Sequence, residues 1–185
     1  MKTNKRVLGV VASPHNHGNT ATLVKAVLKG AEEKGYKTEL KCLGDLKMYP
    51  LVESTSGPYG VDSPKDDMES VFFSLEKCDV IVFGTPIYFG HISDRAKIFI
   101  DRLIYYEKPE RKARLPKNAS AIIIITYADD RPKIYDSVIE WLKGVMKYLN
   151  GMKVAATLKA EGTEENPVEK RENLLRMAHE IGERL

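Results

Sequence analysis

The stretch VLGVVASPHNHGNTATLVKAV, residues 7–27, holds an apolar run, a polar break and a helical pattern, in that order. Val7, Leu8, Val10 and Val11 make the run apolar throughout, as a strand buried on both faces should be. Beyond Gly18-Asn19-Thr20, the residues Leu23, Val24, Val27, Leu28 and Ala31 recur at helical spacing. A strand that turns straight into a helix leaves the helix's free N–H groups and positive dipole end beside the turn. Ser13, Asn16, Asn19 and Thr20 add short polar side chains there, and Gly18 allows close backbone approach. Such a loop suits a single terminal phosphate, although an Asn or Thr helix cap after a turn has the same composition. The loop has neither a GxxxxGK[ST] lysine nor a GxGxxG, the parts needed for a second phosphate or a pyrophosphate. His15 and His17 have no Cys or Glu nearby at a ligand spacing, which argues against a metal. His15 either faces the phosphate or is exposed.

Outward from this stretch, apolar β-branched runs recur at 38–43, 80–83, 121–126 and 154–158. Helical stripes lie between them, through Ala96, Phe99, Ile100 and Leu103, through Ile134, Val138, Trp141, Leu142, Val145 and Leu149, and through Leu174, Ala178, Ile181 and Leu185. A shorter helix is expected at 66–77. This alternation predicts an α/β fold, a doubly wound five-stranded parallel sheet with helices on both faces. The run at 38–43 alternates polar and apolar residues, as an edge strand does, which favours the order 2-1-3-4-5. Loops that follow strands, at 13–19, 44–65, 84–92 and 127–132, then share one rim of the sheet. The basic connection at 105–118 falls at the opposite end and reads as solvated surface.

The 185 residues fit a single domain, 1–185, with one long rim loop at 44–65. A net charge of +3, spread along the chain, gives no reason to expect nucleic acid or acidic lipid. No apolar stretch approaches the roughly 20 residues of a membrane span, and a cytoplasmic location is expected. Cys42 and Cys78 are too few and too far apart for a metal framework.

The second rim loop, within VFGTPIYFGHIS at 82–93, supplies a proline, two aromatics and a glycine before the next helix. A flat, partly polar ring system needs such a wall. With ASPHNHGNTATL, KDDM at 65–68, CDVIVFGTPIYFG at 78–90 and AKIFIDR at 96–102, the chain resembles the flavodoxin-like NAD(P)H-dependent FMN reductases, and within them the iron–sulfur flavoprotein branch. The resemblance implies bound FMN, held at its phosphate by Ser13, Asn16, Gly18, Asn19 and Thr20 and at its ring by Pro86, Ile87, Tyr88, Phe89 and Gly90; His15 joins the expected cofactor-binding residues by its place in the loop. It implies NADH or NADPH as donor, a quinone, flavin or other acceptor, and a homodimer or homotetramer in which the 44–65 loop covers a flavin. Tyr88 and Tyr127 are expected to shape the acceptor pocket; no side chain is needed as a general base. Arg102 and Asp101 read as structural and remote from the rim.

Three departures stand out. The segment before KDDM has no cysteine, so no iron–sulfur cluster is expected. His15 replaces a permanent positive charge. The third rim loop is TYADDRP rather than glycine-rich, and Asp129 and Asp130 would oppose an anionic reduced flavin unless Arg131 offsets them. The competing expectations are a flavodoxin-like electron carrier and a flavin-free binding module on the same fold.

Overall fold

The computed structural model describes residues 5–51, 65–149 and 151–185. β1 (Arg6–Val11) leads to α1 (Asn19–Glu33) and β2 (Lys37–Cys42), and α2 (Met68–Leu75) precedes β3 (Val80–Tyr88). A short β4 (His91–Ile92), α3 (Asp94–Arg102) and α4 (Pro109–Lys112) follow. β5 (Ser120–Thr126), α5 (Asp136–Tyr148), β6 (Lys153–Ala160) and α6 (Glu172–Glu183) complete the order. The long strands pair in parallel as β2-β1-β3-β5-β6, which is the expected 2-1-3-4-5 order. β4 is an addition to the expected five: it turns back antiparallel on the end of β3, with Tyr88 opposite His91.

The continuous apolar runs are explained by two cores. Leu8, Val10, Ile81, Phe83, Ile123 and Ile125 pack towards α2, α3 and α5. Their neighbours Val7, Val11, Val82, Ile122 and Ile124 pack towards α1 and α6. Alternate residues of one strand therefore serve opposite faces, so neither set can be polar. Within α1, Leu23, Val24, Val27 and Ala31 are fully buried. Each large aliphatic of that stripe contributes about 1.5–3 kcal/mol, which holds the head of α1 firmly at the rim.

The expected helix at 66–77 is shorter, because Asp66 Oδ1 is used to accept the Met68 N–H at 3.0 Å ahead of it. In the 105–118 connection, two of the basic residues have partners. Arg111 lies 4.1 Å from the Tyr105 ring centre, and Arg114 pairs with Glu76 at 2.8 Å. The rim loop begins with a 3-10 turn, Leu43–Asp45; its residues 52–64, with Pro58, Tyr59 and Pro64, lie outside the described residues, as does the expectation that it covers a flavin.

Candidate functional site

Gly18 is the residue before α1 and caps it with no side chain; the first turn carries no acid. The amides of that turn thus have neither a side-chain acceptor nor a local negative charge, and the positive end of the helix faces the 13–18 loop. Ser13 is buried and its Oγ accepts the His15 N–H at 3.1 Å, which fixes the bend out of β1. His15 and His17 are exposed. Asn16 donates from Nδ2 to Asp45, while its Oδ1 is buried without a partner.

The side chains of Asn19 and Thr20 turn away from the loop. Asn19 Oδ1 accepts the Val168 N–H at 2.8 Å, and its Nδ2 faces the Thr163 carbonyl at 3.4 Å. Thr20 Oγ1 meets Thr126 Oγ1 at 2.7 Å, fully inside the protein. These two residues offer an anion their main-chain N–H groups; their side chains belong to the scaffold. Sequence reading did not bring in the segment 161–168, although it too follows a strand and so reaches the same rim.

Nor did it bring in Lys25. From the second turn of α1 the Lys25 ammonium donates to the Asn16 carbonyl at 3.1 Å. A permanent positive charge therefore stands on the loop whose Ser-Pro is followed by histidine, and it lies near enough to Asp45 for both to act on the Cys42 thiol. Burial, then Asp45, push that thiol up while Lys25 pulls it down. The 3-10 turn presses on the opening loop: a Cβ on Gly44 would stand 2.8 Å from the Pro14 carbonyl oxygen, so only glycine permits this contact.

The second loop is tied to the first through buried polar groups. Ser93 caps α3 by accepting the Ala96 N–H at 3.1 Å, donates its hydroxyl to the Ala12 carbonyl, and gives its N–H to Thr85 Oγ1 at 3.3 Å. Pro86 and Ile87 are buried at the end of β3. Tyr88, Phe89 and Gly90 project from it. Phe89 has φ of 48° and Gly90 of 86°, the two left-handed positions that a tight hairpin with right-twisted strands demands. A phenylalanine in that conformation is strained by roughly 1–2 kcal/mol, and its ring is fully exposed. His91 packs edge-on against Trp141, ring centres 4.9 Å apart.

Tyr127 is buried, not open on the rim. Its hydroxyl donates to the Pro132 carbonyl at 3.3 Å and its ring meets Tyr135 edge-on. Burial, aided by Glu161, Asp136 and Asp129, pushes its phenol up to about 12. Asp129 is held by Arg131, which contacts both carboxylate oxygens and donates its own amide as well. The Arg131 hydrogen bonds bring Asp129 down to about 2. The offset that the ADD sequence requires is thus present for one of its two acids; Asp130 stays exposed.

Arg102 is structural, as expected, but it is wired to the rim loop. It is completely buried and donates to the Tyr49 carbonyl at 2.9 Å and to Asp66 at 2.6 and 3.3 Å. Asp66 also accepts the Tyr49 N–H, and the neighbouring Asp67 accepts the Lys47 N–H at 2.7 Å. The FIDR and KDDM motifs are two halves of one clasp that closes the ends of the 44–65 loop. Burial alone would push the Asp66 carboxyl up; the hydrogen bonds from Arg102, Tyr49 and Met68 hold it below the usual carboxylate range.

The profile of the NADPH-dependent FMN reductase family matches residues 5–157. An iron–sulfur flavoprotein of Methanocaldococcus jannaschii is 32% identical over 98 residues, 52% of this chain and 51% of that protein. An NAD(P)H dehydrogenase (quinone) of Archaeoglobus fulgidus is 34% identical over 88 residues, 45% of this chain and 44% of its own length. The chain thus spans about half the length of these curated relatives. The solved structure of an NAD(P)H:quinone oxidoreductase from Methanothermobacter marburgensis superposes with a TM-score of 0.74 at 16% identity, covering 98% of this chain and 96% of that one, which shows a shared fold. The doubly wound order, the strand-to-helix loop at 12–19 and the TPIYFG rim all fall inside the matched residues, and they place this chain in the NADPH-dependent FMN reductase family.

Proposed function

We propose that the chain is an FMN-binding oxidoreductase that takes electrons from NADH or NADPH and passes them to a quinone, a flavin or another small acceptor. The observation that carries this reading is the uncapped, acid-free N-terminus of α1 facing a loop that holds a buried, unpartnered Asn16 oxygen. Bound FMN supplies reversible hydride acceptance at its N5 position. The main-chain groups of residues 16–20 hold its phosphate, with Ser13 fixing the bend and Lys25 supplying charge. Pro86, Ile87, Tyr88, Phe89 and Gly90 wall the ring, and the Arg131–Asp129 pair limits the negative charge on the third loop. Tyr127 acts from beneath this loop, setting its shape through Pro132.

The same reading has no iron–sulfur cluster, since the chain has two cysteines and Cys78 is buried beside β3. It is cytoplasmic and assembles as a homodimer or homotetramer. An apolar groove of about 600 Å³ between α3 and α5, lined by Ile100, Ile104, Trp141 and Tyr148, supports assembly through that face. Among the described residues no helix is long and apolar enough to cross a membrane. The inward-turned side chains of Asn19 and Thr20 favour a second reading, a flavin-free binding module.

A visible spectrum of the purified protein, repeated after FMN is added and dialysed away, separates the two. A retained two-banded flavin spectrum that NADH or NADPH bleaches is the expected result. A colourless protein that takes up no FMN overturns the oxidoreductase and leaves the binding module.

A further inference from the structure

We propose that Glu33, His179 and Glu183 form a site for a divalent transition metal that fastens α6 to α1. One ligand atom from each of the three lies within 4.8 Å of the other two. His179 and Glu183 stand four apart on α6 and so share one face of that helix; Glu33 is the last residue of α1.

The scaffold is fixed by backbone contact. A Cβ on Gly30 would fall 2.1 Å from the His179 carbonyl oxygen, and one on Gly182 would fall 2.0 Å from that of Val27. The two helices therefore touch main chain to main chain, with the three ligands flanking the crossing. A site on packed helices is held more closely than one on a loop.

Imidazole nitrogen and carboxylate oxygen converge beside this crossing. His179 Nε2 lies 3.0 Å from Glu33 Oε2, and its Nδ1 lies 3.8 Å from Glu183 Oε2. A metal there would take one ring nitrogen and one oxygen from each carboxylate, with water in the fourth position. The Lys34 ammonium sits 3.3 Å from the other Glu183 oxygen, Oε1, leaving Oε2 turned to the ring. One imidazole with two carboxylates suits Zn²⁺ and its neighbours better than Ca²⁺ or Mg²⁺, which favour all-oxygen shells. The side chains are 27%, 49% and 33% exposed for His179, Glu33 and Glu183, so an ion can enter.

The test is calorimetric titration of the tag-free protein with zinc chloride, paired with thermal melting. One equivalent is expected to bind. The melting temperature should rise by roughly 5–10 °C at a hundredfold excess over Kd. His179→Ala and Glu33→Gln should each weaken zinc at least tenfold, and Lys34→Met should tighten it by removing a competing charge. Glu33 lies half-exposed, so Glu33→Gln keeps the test sound if His179→Ala does not fold. Zinc uptake that Glu33→Gln leaves unchanged, or no uptake at all, overturns the site. Neither outcome bears on flavin binding, which lies at the opposite end of α1.

Discussion

Arg102 and Asp66 form an ion pair in which both side chains are completely excluded from solvent, joining the last residue of α3 to the far end of the rim loop. Arg102 Nε has no partner, so the pair is held by the terminal nitrogens alone. Removing one member leaves the other charged and buried. Arg102→Met should cost about 3–5 kcal/mol, a fall in melting temperature of roughly 10 °C. Adding Asp66→Leu should recover part of that loss, since the stranded carboxylate goes with it. Urea unfolding of the two variants measures both effects.

The same pair sets a pH dependence. Asp66 is held below its ordinary value of 3.8, so its contribution is complete above about pH 4 and is lost as pH falls further, when the carboxyl takes a proton. Stability measured from pH 5 down to pH 2 should drop more steeply in the native protein than in Asp66→Asn. Equal slopes would show that the pair contributes nothing to the acid limb.

Gly18 separates helix stability from anion binding. Its φ of −84° and ψ of −176° are open to any residue, and a Cβ there meets only ordinary contacts with His15. Gly18→Asp should cap the free amides of α1 and leave the melting temperature unchanged or slightly raised. The carboxylate would occupy the place of a phosphate, so FMN should bind about tenfold more weakly, ~1.4 kcal/mol. A variant that melts normally and binds FMN as before would show that the phosphate lies elsewhere.

Phe89 offers the reverse trade. Asparagine tolerates the left-handed conformation better, so Phe89→Asn should stabilise the hairpin by about 1 kcal/mol. Loss of the exposed ring should at the same time weaken the aromatic cofactor or acceptor. Melting temperature and turnover with a quinone, measured together, should move in opposite directions.

The two thiols should differ in reactivity. Burial pushes Cys78 up to about 12, whereas Cys42 is half-buried and less strongly raised. A thiol reagent at pH 8 should label Cys42 slowly in the folded protein and Cys78 only on unfolding. Fast labelling of both would mean that β3 opens readily.

Local pattern was enough for some of this and not for the rest. The apolar run at 7–12 and the stripe from Leu23 to Ala31 located β1 and α1, and the polar alternation of 38–43 placed β2 at the edge. The pairing of Asn19 with Thr163 and Val168 spans about 150 residues of sequence and leaves no periodic trace in either segment. Arg102 looked remote because helix position reports depth along an axis, not what a long side chain can reach. Lys25 was invisible for the same reason: its stem carries the charge back to the Asn16 carbonyl. Residue type and spacing predict elements and the rim they share; they do not name the partner of a polar side chain.

The grip of residues 163–168 on Asn19 assigns an unexpected office to the end of the chain. The family match stops at residue 157, yet the head of α1 is steadied by a segment beyond it, and α6 lends Leu174 and Ala178 to the core beneath. This stretch, outside the residues that the family profile matches, is therefore a tuning peg. Changes there can tighten or slacken the opening loop while every residue of that loop stays the same.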